Sequence, residues 1–222
     1  MIICLGDSFT WGQGLQYYYL IENESWTWDT CREFLKTDYN FSKLGFRADE
    51  YRREKSFPYL IAEELNLPLG LLKLENGGDN FNIKYIVENI HQFVSNTNID
   101  YLVIQFSNPV RRSEDHPSFD SIEDLYYEQI EPINVICQHL NIKWLGISWL
   151  DEFGKYLKNN YPKNHVPILY KNKSWDSFDY MKLGDELKEL TIQYTENIDD
   201  GHFNLKGHEV IKNSILTKIK SI

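Results

Sequence analysis

The sequence contains no long apolar run. None of its 222 residues lies in a stretch that approaches the roughly 20 consecutive apolar residues of a transmembrane helix. The opening residues Met1–Asp7 include no basic segment, and their apolar stretch is too short for a signal peptide. We therefore expect a cytoplasmic protein that has no membrane partner.

Basic residues are fewer than acidic residues. The chain has 23 lysines and arginines against 33 aspartates and glutamates, which gives a formal charge of −10. Proteins that bind nucleic acids present a basic face to the phosphate backbone. The pairs Arg52-Arg53 and Arg111-Arg112 are short and have acidic residues close by. The charge balance therefore argues against a nucleic-acid partner.

Cysteine is scarce. The three cysteines, Cys4, Cys31 and Cys137, are odd in number, and no two of them have the Cys-x-x-Cys spacing of a zinc or redox site. Small disulfide-stabilised domains carry more cysteines in even numbers. The sequence therefore predicts three reduced, partly buried thiols rather than a disulfide framework.

What the sequence does contain is an ordinary globular composition and a repeated alternation of strands and helices. Hydrophobic residues make up 42% of the chain and charged residues 25%, which is typical of a protein with a buried core. Apolar β-rich runs predict strands, and amphipathic patterns predict helices. Strands are expected at Ile2–Leu5, Leu71–Glu75, Tyr101–Phe106 and Ile142–Ser148. Helices are expected over 57–66, 83–94, 122–140, 181–194 and 204–219.

This alternation predicts one α/β domain over residues 1–222, with a parallel sheet and helices on both of its faces. Residues 15–56 are rich in aromatic side chains and predict a partly helical insertion after the first strand. Residues 149–180 predict long loops. Ligands of such sheets bind beyond the carboxyl ends of the strands. The candidate binding turns are therefore Gly6–Gly14, Asn76–Asn80, Ser107–Arg112 and Ser148–Asp151.

Residues in two of the loops have the chemistry of nucleophilic catalysis. Ser8 follows the first strand at an expected helix start, where its hydroxyl is held near backbone N–H groups. A serine needs a base to take its proton, and His202 in a late loop is the candidate base. Asp199, three residues earlier, is the preferred carboxylate for orienting the imidazole. Asp200 competes for that role, or serves as a turn or N-cap residue.

Acyl transfer also needs an oxyanion hole, a set of hydrogen-bond donors aimed at the charge that develops on the substrate oxygen. The candidate donors are the backbone N–H of Ser8, the backbone N–H of Gly78 and the side-chain amide of Asn108. A glycine at position 78 would let the backbone approach the substrate closely.

Three further residues are candidates for substrate binding. Arg111 and Arg112 follow the third strand and could hold a substrate carboxylate or phosphate, although a solvated pair is the alternative. Trp11 lies just after the candidate nucleophile and could contact the substrate through its ring.

The sequence resembles the SGNH (GDSL-like) hydrolase superfamily in four places. Gly6–Gly12 reads GDSFTWG and is similar to the family's first block, in which the serine is the nucleophile. Asp199–His208 is similar to the last block, Asp-x-x-His with a glycine five residues after the histidine. Gly78 fits the second block, a glycine in the turn after the second strand. Asn108 supplies the asparagine of the third block, whose usual form is Gly-x-Asn-Asp, and its neighbours in Phe106–Pro109 differ from that form.

The resemblance implies a three-layer α/β/α flavodoxin-like fold and a triad of Ser8, His202 and Asp199. It also implies ester hydrolysis without a metal or another cofactor. We therefore expect a serine esterase that acts on short-chain esters, with O-acetyl groups of carbohydrates as the expected class. A thioesterase or acyltransferase would use the same triad. A non-catalytic glycan-binding module that retains the fold is the alternative from another class, and the oligomeric state is not predicted.

Overall fold

The computed structural model describes residues 1–38, 40–73, 98–106, 122–179, 182 and 184–222. The sequence predictions for Gly78, Asn108, Arg111 and Arg112, and for a helix over 83–94, lie outside the described residues. The interpretation of the chain as one domain stays a prediction.

Within the described residues, four parallel strands form one sheet. They are β1 (Ile2–Gly6), β2 (Leu69–Lys73), β3 (Tyr101–Phe106) and β4 (Lys143–Ser148). Three of them match the predicted segments to within one residue, whereas β2 begins two residues before the predicted 71–75. The prediction of an α/β protein with a parallel sheet is confirmed.

The helices that the structure describes are named α1 to α10 in chain order. They are α1 (Ser8–Trp11), α2 (Gln16–Asn23), α3 (Trp28–Thr37), α4 (Phe46–Lys55), α5 (Phe57–Glu64), α6 (Ile122–His139), α7 (Asp151–Asn160), α8 (Asp185–Lys188), α9 (Ile192–Glu196) and α10 (Leu205–Lys220). A 3₁₀ turn covers Phe41–Leu44. Among these helices, none combines the length and the apolar character needed to cross a lipid bilayer.

Helices cover both faces of the sheet because successive side chains of a strand point to opposite faces. On β1, Ile2 and Cys4 pack into one apolar core with α5 and α10. Ile3 and Leu5 pack into a second core with α6 and α7. Burying one such side chain stabilises a fold by about 1.5–3 kcal/mol, so β1 is anchored from both sides. The prediction of helices on both faces is confirmed, and the arrangement is consistent with three layers.

The strand order reverses at β1. Across the sheet the strands lie in the order β2-β1-β3-β4, so β2 pairs with one side of β1 and β3 with the other. Flavodoxin-like sheets have this order, and they bind ligands in the crevice beyond the carboxyl ends of the strands at the point of reversal. The residues that follow Gly6 emerge at that crevice.

The prediction of long loops over residues 149–180 was wrong. Helix α7 lies in this segment and buries Phe153 and Leu157, which are four residues apart on its inner face. Two short strands then form an antiparallel hairpin, β5 (Ile168–Tyr170) and β6 (Lys173–Trp175). Its two turn residues have φ angles of 47 and 60 degrees, the conformation of a tight hairpin turn. Only the two large apolar residues Phe153 and Leu157 indicate a helix in this part of the sequence. Such a short pattern does not predict one among the surrounding aromatic and polar residues.

Residues 15–56 form the expected helical insertion. Its three helices and the 3₁₀ turn enclose a third apolar core, to which they contribute the buried residues Tyr17, Leu20, Cys31, Leu44 and Ala48. Two buried residues from far along the chain, Ile192 and Ile198, complete this core. Ile198 lies in the loop that leads to Asp200 and His202, so the insertion supports that loop from one side.

All three cysteines are unpaired and buried, as predicted. Burial raises the pKa of each thiol, to about 12 for Cys31 and Cys137 and further for Cys4. The thiolate is the nucleophilic and metal-binding form of cysteine, and these thiols stay protonated. The cysteines therefore act as small apolar packing residues.

His208 is fully buried in α10 and uncharged. Its Nδ1 accepts a hydrogen bond from the Phe57 backbone N–H at 3.1 Å, which places the ring hydrogen on Nε2. Nε2 is buried without a hydrogen-bond partner in the described part of the chain. Burial, and then the charges of His202 and Arg52, lower the pKa of His208 from 6.5 to about 3.

Replacing His208 with asparagine should make the free energy of unfolding depend less on pH between about pH 6.5 and pH 3. In the unfolded chain the imidazole takes up a proton below about pH 6.5, whereas the folded protein resists protonation down to about pH 3. The free energy of unfolding therefore falls as the pH is lowered through this window, by on the order of a few kcal/mol. Urea unfolding at a series of pH values measures the slope.

Asparagine is the chosen replacement because its amide oxygen can still accept the bond from Phe57 while it has no proton to take up. The matched control is His139→Asn, at an exposed position of α6, which should keep the wild-type slope. If the free energy of unfolding of His208→Asn depended on pH as strongly as that of the wild type, His208 would not be the source of this dependence.

Candidate active site

Ser8 is positioned by the turn between β1 and α1. Asp7 caps this helix, since its Oδ1 accepts a hydrogen bond from the Phe9 backbone N–H at 3.0 Å. Ser8 is the first residue of the helix, and its side chain is half-buried at the carboxyl end of the sheet. The N–H of a first helical residue has no partner within the helix, so it is available to an anion.

His202 lies in the loop between α9 and α10, and hydrogen bonds on both sides hold it. Its carbonyl accepts a bond from the Ile192 backbone N–H at 2.8 Å, and Asn204 donates from its backbone N–H to the Leu190 carbonyl at 3.0 Å. The Asn204 side chain caps α10 by accepting from the Gly207 N–H at 2.9 Å. The imidazole therefore projects from a backbone that is fixed to its neighbours.

The structure brings Ser8, His202 and an aspartate together in one line of hydrogen bonds. Ser8 Oγ lies 2.7 Å from His202 Nε2. His202 Nδ1 lies 2.5 Å from Oδ1 of Asp200. A carboxylate accepts the hydrogen on Nδ1, so Nε2 carries the lone pair and accepts a hydrogen bond from the Ser8 hydroxyl.

The carboxylate in this line is Asp200, and the prediction of Asp199 is corrected. Asp199 is exposed, whereas Asp200 is only 4% exposed. Asp200 Oδ1 also accepts a hydrogen bond from the backbone N–H of His202 at 3.0 Å. An aspartate that bonds to the backbone two residues ahead forms a common tight turn, and here that turn carries the carboxylate to the imidazole.

The loop after α1 closes over the aspartate. A Cβ on Gly14 would lie 3.2 Å from Asp200 Oδ2 and 2.5 Å from the side chain of Ile192. The φ angle of Gly14 is +91 degrees, a conformation that favours glycine. Asp200 Oδ2 is buried and has no hydrogen-bond partner among the residues that the structure describes. Glycine at position 14 is therefore what allows this close approach.

One aromatic ring packs against the histidine, and two others pack against that ring. The ring of Phe9 lies 4.6 Å from that of His202 and 4.0 Å from that of Trp149, measured between centroids. Phe203 lies 5.2 Å from Phe9. Phe9 was not predicted as a site residue, although it directly follows Ser8. Packing against Phe9 limits rotation of the imidazole and shields it from water.

The structure ties Trp11 into the turn rather than leaving its indole N–H free. Trp11 Nε1 donates to the carbonyl of Gly6 at 3.1 Å, and the Trp11 carbonyl accepts from the guanidinium of Arg52. Its ring is half-buried, and a role in substrate binding stays a prediction.

In the described ranges, no group of three or more histidine, cysteine or acidic side chains is arranged to hold a metal ion. The expected independence from metal ions and cofactors stays a prediction. The expected oxyanion donors Gly78 and Asn108 lie outside the described residues, so the site as described consists of the Ser8 hydroxyl, the His202 imidazole and the Asp200 carboxylate.

Neither a scan against protein-family models nor a search of curated proteins returned a match to this chain. Function is therefore inferred from the motifs of the sequence and from the geometry of Ser8, His202 and Asp200.

Replacing Asp200 with asparagine should abolish most of the hydrolysis of an activated acetyl ester, whereas Asp199→Asn should not. An amide that donates to Nδ1 would hold the imidazole in the wrong tautomer, which lowers the rate of a serine triad by roughly 10²- to 10⁴-fold. The exposed Asp199 makes a matched control because it is the same residue type one position away. Initial rates of both variants measure the difference. A larger loss of hydrolysis in Asp199→Asn than in Asp200→Asn would indicate that Asp199 orients the imidazole.

Proposed function

We propose that this protein is a serine esterase of the SGNH (GDSL-like) superfamily that hydrolyses short-chain esters through an acyl-enzyme. The observation that carries the proposal is the pair of contacts made by His202, 2.7 Å from Ser8 Oγ on one side and 2.5 Å from Asp200 on the other. The GDSFTWG segment that contains Ser8, and its place at the reversal of the strand order, support the same conclusion.

In the first half of the proposed reaction, Ser8 Oγ attacks the carbonyl carbon of the ester. The bond from Oγ to carbon forms while the hydroxyl proton moves to His202 Nε2. Asp200 stabilises the imidazolium that results. The tetrahedral intermediate then collapses, the bond from carbon to the alcohol oxygen breaks, and His202 returns the proton to the leaving alcohol.

The second half repeats these steps with water. His202 Nε2 takes a proton from a water molecule, whose oxygen attacks the acyl carbon. When the bond to Ser8 Oγ breaks, the proton passes from His202 back to the serine. The products are a carboxylic acid and the free enzyme, so no metal or redox cofactor is needed.

The negative charge on the substrate oxygen needs donors in both halves. In this proposal the Ser8 backbone N–H supplies one, which fits its place at the first turn of α1. Gly78 N–H and the Asn108 amide are the other proposed donors, as the family resemblance implies. Arg111 and Arg112 stay proposed as substrate-binding residues.

The proposed substrates are O-acetyl esters, with carbohydrate as the expected alcohol. The half-buried ring of Trp11 near Ser8 is the proposed contact for a sugar. We propose a cytoplasmic setting because three buried, unpaired thiols are typical of reducing compartments. The charge of −10 supports a partner other than nucleic acid, and we propose no membrane partner.

Ser8→Ala should abolish hydrolysis of an activated acetyl ester, and His202→Ala should remove most of it, because one variant lacks the nucleophile and the other lacks its base. The matched control is Ser221→Ala, at an exposed serine near the end of the chain, which should keep wild-type turnover. Circular dichroism establishes that each variant is folded. Equal turnover by wild type and Ser8→Ala would contradict a mechanism in which Ser8 is the nucleophile.

The same assay separates the other activities. Treatment with EDTA should leave the rate unchanged, and a loss of activity would contradict a metal-free reaction. Transfer of the acetyl group to an added alcohol, rather than its release as acetate, would identify an acyltransferase. Preference for acetyl thioesters over oxygen esters would identify a thioesterase. Binding of glycans by a folded protein without turnover would identify a binding module.

A further inference from the structure

The helix that carries the nucleophile cannot fix its own position. α1 has only four residues, far fewer than a helix needs to be stable by itself. Its place is therefore set by its contacts with the rest of the protein. This placement matters because a shift of about 1 Å between reacting groups lowers a rate by roughly 10²-fold.

One of these contacts is a buried hydrogen bond to a neighbouring strand. Thr10 Oγ1 in α1 donates to the side-chain Oε1 of Gln105 in β3 at 2.6 Å. Thr10 is completely buried, and Gln105 is 3% exposed. Buried hydrogen bonds of this kind hold two elements in one relative position, because breaking one leaves both polar groups without water.

Gly6 makes room for this bond. A Cβ at position 6 would lie 2.0 Å from Thr10 Oγ1 and 3.0 Å from the Cβ of Gln105. The first distance is far shorter than any real contact, so a side chain at this position would push the threonine hydroxyl away from the glutamine. The hydrogen bond between Thr10 and Gln105 therefore depends on the glycine at position 6 as well.

Gln105 is an unusual residue for its position in the core. Val103, two residues earlier, points to the same face of β3 and packs in the apolar core with α5 and α10. Gln105 Nε2 is buried there without a hydrogen-bond partner in the described part of the protein. An apolar side chain would avoid that cost, and buried groups left without partners are rare in folded proteins. Packing therefore does not explain why this position holds a glutamine.

We infer that Gln105 is a positioning residue for the nucleophile. Through Thr10 it holds α1 against β3, at the place where Ser8 Oγ meets His202 Nε2. The inference rests on the proposed function, since it assigns a role in that reaction. In the sequence, Gln105 also lies three residues before Asn108, a proposed oxyanion donor.

The test is a comparison of Thr10→Val and Thr10→Ser in hydrolysis of an activated acetyl ester. Valine has nearly the shape of threonine but cannot donate, and we expect kcat to fall roughly 10- to 100-fold with KM within about twofold. Serine keeps the hydroxyl and should restore kcat to near the wild-type value. Gln105→Leu should lower kcat in the same way, and the double variant Thr10→Val with Gln105→Leu should be no slower than the slower single variant.

The matched control for lost stability is Ser214→Ala. Ser214 is also buried, and its Oγ accepts a hydrogen bond from the Leu169 backbone N–H at 2.9 Å, between α10 and β5. This variant should lose thermal stability and keep the wild-type kcat. A kcat of Thr10→Val that equals the wild-type value, or that falls no further than in Ser214→Ala, would overturn the positioning role alone. Absence of turnover by the wild-type protein would overturn the proposed function and this inference with it.

Discussion

The hydrogen bond between Ser8 Oγ and His202 Nε2 joins two residues that are 194 positions apart in the sequence. It forms only if the first strand and the last loop meet at one edge of the sheet. β1 brings the serine there because apolar cores on both faces anchor it, and α10 packs into one of those cores. Because α10 begins at Leu205, just after His202, the packing of this helix on the sheet also sets the position of the base. The candidate site is therefore a direct consequence of the core.

The insertion over residues 15–56 supports the two sides of this bond from outside the sheet. Its apolar core includes Ile192 in α9 and Ile198 in the loop that leads to His202. Arg52 binds the carbonyl of Trp11 at the end of α1, and Arg32 donates to the Asn197 carbonyl at 3.2 Å. These contacts reach both the serine side and the histidine side of the site. Together with the bond between α1 and β3, they hold three separate segments of chain in one geometry.

Much of the parallel sheet could be predicted from the sequence, because each of its four strands is a short apolar run whose signal is local. Ser8 and His202 could be proposed as a pair because they lie in motifs with a fixed spacing. The sequence favoured Asp199 over Asp200, whereas the structure places Asp200 against His202, since two adjacent carboxylates differ only in the turn that directs them. The bond from Thr10 to Gln105 spans 95 positions, and no local pattern reports a contact of that kind.

The central claim is that Ser8 is an activated nucleophile. The most direct measurement is the intact mass of the protein after treatment with a fluorophosphonate, followed by peptide mapping of the adduct. A single adduct on Ser8 is expected in the wild-type protein and none in a folded His202→Ala variant, because the proposed mechanism requires His202 to activate the serine. An adduct on another residue, or a folded wild-type protein that gains no mass, would contradict it.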